Sequence, residues 1–209
     1  MEIKSKIRNY SVEFTEELDE TGIPEGLVII DSNVHELYFS ACKNDIIIEA
    51  SEIGKSFESV APLIDKILAR GFQKNNRLIA IGGGTIQDIV GFIASILFRG
   101  VEWHFYPTTL ISQADSCIGG KTSINFSGRK NVLGNFYPPS KIVICNEFLS
   151  TLPADEIKSG IGEILHYYAM ANGNICVHIK EQMGSIDLLS SHVKSSLLLK
   201  RRYIEADEF

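Results

Sequence analysis

Three consecutive glycines, Gly82 to Gly84, stand directly after the apolar run Leu78–Ile81. Beyond them, apolar residues recur from Ile86 to Leu97 with the spacing of one buried helix face. This pattern predicts a strand, a glycine turn and a helix. Glycines let a ligand approach the backbone closely, and the start of a helix offers free N–H groups and a positive dipole to a phosphate. The stretch is therefore a candidate anion-binding turn. A tight turn without a ligand also fits, because the spacing differs from the GxGxxG fingerprint.

Polar and charged side chains crowd the stretch after this turn. They are Asp88, Thr108, Thr109, Asp115, Lys121, Lys130 and Asn131. Asp88 is predicted to stand in the first helical turn, where a negative charge is favourable. Lysines in glycine-rich loops of an acidic protein indicate an anion pocket, although a lysine taken alone is most often a solvated surface charge.

The elements that must position these residues are short strands that alternate with helices. Apolar runs predict strands at Gly26–Asp31, Asp45–Glu49 and Leu78–Ile81, and the alternating residues 1–14 predict an edge strand or a hairpin arm. A helix is predicted at Ser56–Leu68. Its buried side comprises Val60, Leu63, Ile64, Ile67 and Leu68. This alternation predicts an α/β fold in which a mostly parallel sheet is flanked by helices.

Ligands of such sheets bind at the carboxyl ends of the strands. Asp31 and the glycine turn both stand at predicted strand ends. Asp31 is either an acceptor for the ribose or adenine of a nucleotide or the cap of the helix that follows it.

The composition excludes several functional classes. Of 209 residues, 44% are hydrophobic and 22% are charged, as in a soluble globular protein rather than a disordered one. The net charge of −6 argues against a dedicated nucleic-acid binder. No apolar run is long enough to span a bilayer, and no signal peptide is visible. No membrane partner is therefore expected. The cysteines lie far apart and form no CxxC pair, which together with the missing signal peptide predicts reduced thiols in a cytoplasmic protein. They are Cys42, Cys117, Cys145 and Cys176.

The order and spacing of these motifs resemble the 3-dehydroquinate synthase family of sugar-phosphate cyclases. The segments that carry the resemblance are Gly82-Gly83-Gly84 with Asp88, Phe98-Arg99-Gly100, Pro107-Thr108-Thr109-Leu110, Gln113-Ala114-Asp115-Ser116, Gly119-Gly120-Lys121-Thr122 and Lys130-Asn131 with Gly134. It continues through Leu152-Pro153, Ser159-Gly160 and Gly162-Glu163. Upstream, Glu52 and Lys55 fit the family's Gly-Glu-x-x-Lys segment, with Ser51 where glycine is usual.

The resemblance implies a specific chemistry. Members of the family bind NAD and a divalent metal, zinc or cobalt, and convert a phosphorylated sugar acid into a carbocycle. NAD oxidises a hydroxyl group, phosphate is eliminated, the ketone is reduced again, and the ring opens and closes in an aldol step. For this chain, the resemblance implies a lyase that converts a phosphorylated heptulosonate to 3-dehydroquinate.

The resemblance also implies roles for individual residues. Those assigned to the NAD site are Asp31, Asn33, Glu52, Lys55, Gly83, Gly84, Asp88, Thr108, Thr109, Lys130, Phe148 and Thr151. Those assigned to the substrate or to catalysis are Arg99, Asp115, Lys121, Asn131, His166 and Lys200. Arg99 resembles an arginine that reaches across a dimer interface, which implies a homodimer. Alternatively, Arg99 is a helix-end residue in favourable contact with the helix dipole.

The metal site implied by the resemblance is incomplete in this sequence. Glu163 matches the glutamate that is the family's first metal ligand, and a cation would offset the cost of burying its charge. In the family, two histidine ligands lie beyond a Leu-Asn-x-Gly-His segment, and the chain stops at Phe209 before it. We therefore expect a truncated chain. Residues 1–151 would form an NAD-binding α/β domain, and residues 152–209 the first helices of an all-helical metal- and substrate-binding domain.

Two positions depart from the family pattern. His166 replaces a usual lysine three residues after Glu163, on the same helix face. It is a metal ligand, a proton carrier or a packed helix residue. Gln87 stands where glycine is common. Both leave room for another sugar phosphate, as in cyclases of the 2-deoxy-scyllo-inosose synthase or sedoheptulose 7-phosphate cyclase type.

Two further classes stay open. A metal-dependent alcohol or glycerol dehydrogenase also carries a glycine triplet followed by an acid, but its substrate does not need the cationic Lys121 and Lys130. The other class is a non-catalytic NAD-binding module, because half of the metal site is absent from the sequence.

Overall fold

The computed structural model describes residues 1–18, 22–42, 45–171 and 186–207. In this part of the chain nine strands form. They are β1 (Glu2–Ile3), β2 (Tyr10–Thr15), β3 (Leu27–Asp31), β4 (Ile46–Ile48), β5 (Arg77–Gly82), β6 (Glu102–Pro107), β7 (Lys121–Phe126), β8 (Arg129–Phe136) and β9 (Lys141–Cys145). The α-helices of the described ranges are α1 (Ser32–Tyr38), α2 (Phe57–Ala69), α3 (Gly84–Ile96), α4 (Ala154–Ala171) and α5 (Ile186–Ala206).

Seven of the described strands form one sheet in the order β1-β2-β9-β6-β5-β3-β4, and β7 and β8 form a separate antiparallel hairpin. In this sheet order, β2, β9, β6, β5, β3 and β4 pair in parallel, each with the next. Only β1 differs among the described strands of the sheet, because it pairs antiparallel with β2. The predicted α/β fold with a mostly parallel sheet flanked by helices is confirmed. The prediction that residues 1–14 form an edge strand or a hairpin arm is also confirmed, because β1 and β2 pair antiparallel at the edge of the sheet.

The central strands are apolar because helices cover both faces of the sheet. Leu78–Ile81 of β5 is fully buried. Trp103 and Phe105 of β6 belong to the larger core, which includes residues of α2, α3, α4 and α5. Tyr106 belongs to a smaller core on the other face, together with Phe148. Alternate residues of β6 therefore serve two different cores.

The helices α2 and α3 agree with the predicted apolar faces, with one exception. All predicted face residues of α3 are buried, from Ile86 to Ala94. In α2, Ser56 is the N-cap, and its Oγ accepts a hydrogen bond from the N–H of Ser59 at 3.3 Å. The prediction for Leu68 is wrong, since its side chain is 42% exposed. It follows the buried Ile67 by one residue, which turns it about 100° towards solvent.

The described cysteines, Cys42, Cys117 and Cys145, form no disulfide with one another, and Cys176 lies outside the described residues. Burial raises the pKa of the Cys117 thiol to about 12, so this group stays protonated at neutral pH. Of the helices that the structure describes, none is long and apolar enough to cross a membrane.

After β9 the described chain contains no further strand. A 3₁₀ segment at Asn146–Thr151 leads into α4, and α5 packs against α4 and against the segment Ser112–Ser116. The change from strands to helices falls close to the predicted division between residues 151 and 152. The division into two domains stays a prediction.

Candidate functional site

A cavity of about 700 Å³ lies at the carboxyl ends of β3, β5 and β6. It brings together eight residues predicted for the NAD site: Asp31, Asn33, Gly83, Gly84, Thr108, Thr109, Phe148 and Thr151. Tyr38 and Thr85 also line the cavity and were not predicted. Parallel strands end at one edge of the sheet, which is why residues so distant in sequence meet there.

The three glycines of the turn have different surroundings. A Cβ at Gly82 would collide with Ile86, so this glycine serves packing. If Gly84 carried a Cβ, one atom of the described residues would lie within 4 Å of it, namely Ser116 Oγ at 3.7 Å. This side of the turn therefore has space for a ligand. Gly83 is the N-cap of the 13-residue α3 and provides no side-chain cap. The first N–H groups of α3 are thus available to a phosphate.

Asp31 acts as the cap of α1. Its Oδ1 accepts hydrogen bonds from the N–H groups of Asn33 at 3.0 Å and Val34 at 3.2 Å. Its Oδ2 accepts one from the N–H of Ala50 at 3.1 Å. The side chain also lines the cavity, but both oxygens already serve the backbone. A bond from Asp31 to a nucleotide stays a prediction.

Thr109 and Gln113 shape the rim between β6 and β9. The fully buried Gln113 donates from Nε2 to the carbonyl oxygens of Pro107 at 3.1 Å and Cys145 at 2.8 Å. It thereby ties the ends of the two strands together. The N–H and Oγ1 of Thr109 donate to Ser112 Oγ at 3.1 and 2.9 Å. These bonds fix the threonine turn that borders the cavity.

Lys55, in the turn before α2, forms an ion pair with Asp88 of α3, next to the β7–β8 hairpin and outside the cavity lining. Lys55 Nζ lies 2.5 Å from Asp88 Oδ2 and donates to Asn131 Oδ1 at 2.7 Å. The N–H of Ser123 donates to Asp88 Oδ1 at 3.0 Å. Burial raises the pKa of Asp88, and the hydrogen bond and charge of Lys55 oppose this effect. The network attaches the hairpin to α3.

The predicted place of Asp88 in the first helical turn is wrong. Because α3 begins at Gly84, Asp88 stands in the second turn, and its first turn contains no acidic residue. The charge of Asp88 is balanced by Lys55 rather than by the helix N-terminus.

The two lysines predicted for an anion pocket lie exposed on the β7–β8 hairpin. Lys121 begins β7, and the side chain of Lys130 is 73% exposed, with Nζ 3.8 Å from Glu52 Oε1. Glu52 and Lys130 line a second cleft of about 270 Å³ rather than the cavity at the glycine turn. A hydrogen bond from Asn125 makes the largest contribution to lowering the pKa of Glu52. The structure therefore does not bring either lysine to the glycine turn.

A second polar group surrounds Asp115, which lies in a short π-helical segment, Ser112–Ser116. Asp115 Oδ1 accepts from Lys200 Nζ at 2.7 Å and from the hydroxyl of Tyr167 at 2.5 Å. Burial raises the pKa of Tyr167, and the hydrogen bond to Asp115 raises it further. Tyr167 was missed in the sequence, although its position four residues after Glu163 on one helix face was a usable signal.

Gln87 connects the glycine-turn helix to the segment that carries Asp115. Its Nε2 donates to the carbonyl oxygen of Ser116 at 2.6 Å, and Ser116 Oγ donates to Gln87 Oε1 at 2.7 Å. Gln87 is 3% exposed and does not line the cavity. The sequence marked it as a departure from the family pattern, but not as this bridge.

Glu163 is half-buried on α4, and His166 is exposed, with its ring 5.8 Å from the ring of Tyr167. Within the described ranges, no three His, Cys, Asp or Glu side chains lie close enough to hold a metal ion. These residues alone therefore do not fit a zinc or cobalt centre. Arg99 is exposed, has a left-handed backbone with a φ of 62°, and does not line the cavity.

Comparison with known proteins adds to this geometry. A family model for the N-terminal part of 3-dehydroquinate synthase matches residues 45–159. The 3-dehydroquinate synthase of Dictyoglomus thermophilum is 38% identical over an alignment of 168 positions, which covers 78% of this chain and 47% of that protein. The one from Streptococcus pyogenes is 33% identical over an alignment of 227 positions, gaps included, which covers 100% of this chain and 64% of that protein. The chain thus spans between about half and two thirds of these relatives.

A solved structure with the same fold is the 2-epi-5-epi-valiolone synthase of Streptomyces hygroscopicus, with NAD+ and Zn2+ bound. It superimposes with a TM-score of 0.77 and is 27% identical in sequence. The match covers 95% of this chain and 62% of that protein.

Proposed function

Because this chain belongs to the 3-dehydroquinate synthase family, we propose that it provides the NAD-binding part of a sugar-phosphate cyclase. The observation that carries the proposal is the uncapped glycine turn at a cavity of about 700 Å³. For the whole protein we propose a carbon–oxygen lyase that converts a phosphorylated heptulosonate to 3-dehydroquinate with loss of phosphate. This reaction belongs to the shikimate pathway of aromatic amino acid biosynthesis.

The lining of the cavity fits a dinucleotide. Gly84 leaves room for a phosphate next to the first amides of α3, and Phe148 offers an apolar wall. Thr109 and Tyr38 border the remaining space. When bound, NAD would supply the acceptor for a hydride from the carbon that bears a substrate hydroxyl, and the hydride would be returned within the same turnover. The residues of this chain hold the cofactor and orient it.

We place the substrate next to Asp115 and Lys200, with the hairpin residues Lys121 and Asn131 on the other side. The ion pair of Asp115 and Lys200 is partly open to solvent, with side-chain exposures of 22% and 18%. Lys121 is exposed and free to approach the phosphate or carboxylate of a ligand. A phosphorylated sugar acid needs such cations, whereas glycerol does not.

A divalent metal, zinc or cobalt, is proposed for the whole protein, with Glu163 as one ligand. The Zn2+ bound to the solved 2-epi-5-epi-valiolone synthase supports this assignment. The described residues do not complete a metal site by themselves. A cytoplasmic homodimer in which Arg99 reaches the partner's site is also proposed, and the exposure of Arg99 supports it.

Calorimetric titration of the 209-residue chain with NAD+ tests the cofactor site. We expect binding, and we expect Gly84→Ala to weaken it about tenfold, because the added methyl group occupies space next to the phosphate-binding amides. Gly162→Ala is the matched control, since its new methyl group has no described atom within 4 Å. A chain that does not bind NAD+, or a Gly84→Ala variant with unchanged affinity, contradicts the proposal.

Phosphate release by the whole protein, with NAD+ and Zn2+ present, decides the substrate. Release from a phosphorylated heptulosonate supports the synthase. Release from sedoheptulose 7-phosphate or glucose 6-phosphate alone identifies a sister cyclase instead. NAD+ binding without turnover of any of the three supports a non-catalytic module.

A further inference from the structure

Three elements meet at the carboxylate of Asp115. The π-helical segment Ser112–Ser116 carries Asp115 itself, α4 carries Tyr167 and α5 carries Lys200. Tyr167 and Lys200 both donate to Oδ1, at 2.5 and 2.7 Å. Lys200 Nζ also donates to the main-chain oxygen of Asp115, at 2.8 Å. One carboxylate oxygen thus joins a phenol and an ammonium group from two helices.

The hydroxyl of Tyr167 is a constant donor. Burial of the ring, the hydrogen bond to Asp115 and the nearby charges of Asp115 and Glu163 all raise the pKa of Tyr167. The phenol therefore keeps its proton throughout the neutral range, and in the structure it donates this proton to Asp115 Oδ1. Hydrogen bonds to a charged acceptor are stronger than those between neutral groups.

The second carboxylate oxygen of Asp115, Oδ2, is available to a ligand. In the part of the chain that the structure describes, no group donates to Oδ2, while Oδ1 has two donors. The Asp115 side chain is 22% exposed to solvent. A carboxylate fixed through one oxygen presents the other in a defined direction.

The neighbouring tyrosine provides a contrast on the same helix. Tyr168 is buried, and its hydroxyl lies 3.3 Å from His192 Nδ1, away from Asp115. Replacing either tyrosine with phenylalanine removes one hydroxyl from α4. Only the replacement at Tyr167 removes a donor from Asp115.

We propose that Tyr167 is a positioning residue, which holds Asp115 so that Lys200 stays paired on Oδ1 and Oδ2 faces a hydroxyl group of the sugar phosphate. A lysine side chain is long and flexible, and an ion pair with water access is weak unless its geometry is fixed. Tyr167 supplies that fixed geometry. The identity of the ligand rests on the proposed function, whereas the ion pair does not.

Trace acetylation of the chain, read by mass spectrometry at each lysine, tests the pair without any turnover. The exposed Lys158 is the internal reference. In Tyr167→Phe we expect the acetylation of Lys200 relative to Lys158 to rise about tenfold, because loss of a bond to a charged group is worth about that factor. Tyr168→Phe should leave the ratio unchanged, and Asp115→Asn marks the upper limit.

An unchanged ratio in Tyr167→Phe overturns the proposal. So does an equal rise at all lysines together with a lower unfolding temperature, because that result indicates a general loss of structure rather than a local one.

Titration of the chain with the phosphorylated heptulosonate of the proposed function, in the presence of NAD+, tests the role of Oδ2. Tyr167→Phe should bind the sugar phosphate about tenfold more weakly while NAD+ affinity stays the same, since Tyr167 does not line the NAD cavity. Equal sugar-phosphate affinity in both proteins, or none in a wild-type chain that binds NAD+, overturns the assignment of Oδ2. A wild-type chain that fails to bind NAD+ contradicts the proposed function instead. In that case the acetylation ratio still tests whether Tyr167 holds the ion pair of Asp115 and Lys200.

Discussion

His104 illustrates how the environment of a single residue sets its charge. It lies on β6, 6% exposed, with Nε2 3.4 Å from Glu102 Oε1. Within the described chain, Nδ1 has no hydrogen-bond partner. Burial lowers the pKa of His104 from 6.5 to about 4, and the positive charge of Arg77 adds to this effect. At neutral pH the imidazole is therefore uncharged in the folded protein.

This shift makes the stability of the fold depend on pH. Between about pH 6.5 and about pH 4 the unfolded chain binds a proton at residue 104 that the folded chain does not bind. The free energy of unfolding should thus be highest above pH 6.5 and should fall by on the order of 3 kcal/mol towards pH 4.

Urea unfolding of the wild type and of His104→Gln over this interval provides the measurement. Glutamine does not titrate, so the variant should lose stability less steeply on acidification. Parallel curves for the two proteins would show that another group causes the fall.

At the scale of elements, α4 is docked on the α/β layer by a close approach of its backbone. A Cβ added at Gly160 would lie 2.5 Å from Leu110 Cβ, whereas one at Gly162 would meet no described atom within 4 Å. Gly160 is buried and Gly162 is exposed on the same helix. This contact sets the position of the face that carries Glu163 and Tyr167.

The two glycines give a matched pair of variants. Gly160→Ala should destabilise the protein by about 1–3 kcal/mol, because the methyl group overpacks the contact with Leu110. Gly162→Ala should stabilise it by up to about 1 kcal/mol, because alanine favours the helix. Thermal unfolding of both variants measures the difference. Equal effects would mean that α4 is not held at Gly160.

Across the whole molecule, the cationic side chains of the candidate site lie apart from the cavity at the glycine turn. Among the described residues that line the cavity at the glycine turn, the charged ones are Asp31 and Glu156, and none is lysine or arginine. Cationic residues stand instead on the hairpin and on α5, at Lys121, Lys130 and Lys200. The cofactor phosphates must therefore rely on backbone amides and the helix dipole.

The separation predicts different responses to salt. Between about 0.05 and about 0.5 M salt, NAD+ affinity should fall less than about threefold, because the amides are partly shielded from solvent and carry no full charge. Affinity for a sugar phosphate should fall further, since exposed lysines are screened. Calorimetry at several salt concentrations tests both statements. A steep salt dependence for NAD+ would show that lysines reach the cofactor.

Local patterns were sufficient for much of the fold and for the location of the site. The apolar run before Gly82 and the helical period after it predicted β5, the turn and α3 correctly, because such periods record which side of an element is buried. The alternation of strands and helices then placed Asp31 and the glycine turn at one edge of the sheet. These inferences depend on neighbours in sequence or on general rules of chain connection.

The pairing of charges was not available from the sequence. Residue types and their spacing were enough to predict the parallel sheet, the glycine turn and the set of polar residues beside it. Only the packed fold shows that Lys55 joins Asp88, that Tyr167 and Lys200 share Asp115, and that Lys130 faces Glu52 in a separate cleft. A long side chain pairs with whichever opposite charge the packing of the hairpin, α4 and α5 brings within reach, and residue types and spacing do not specify that packing.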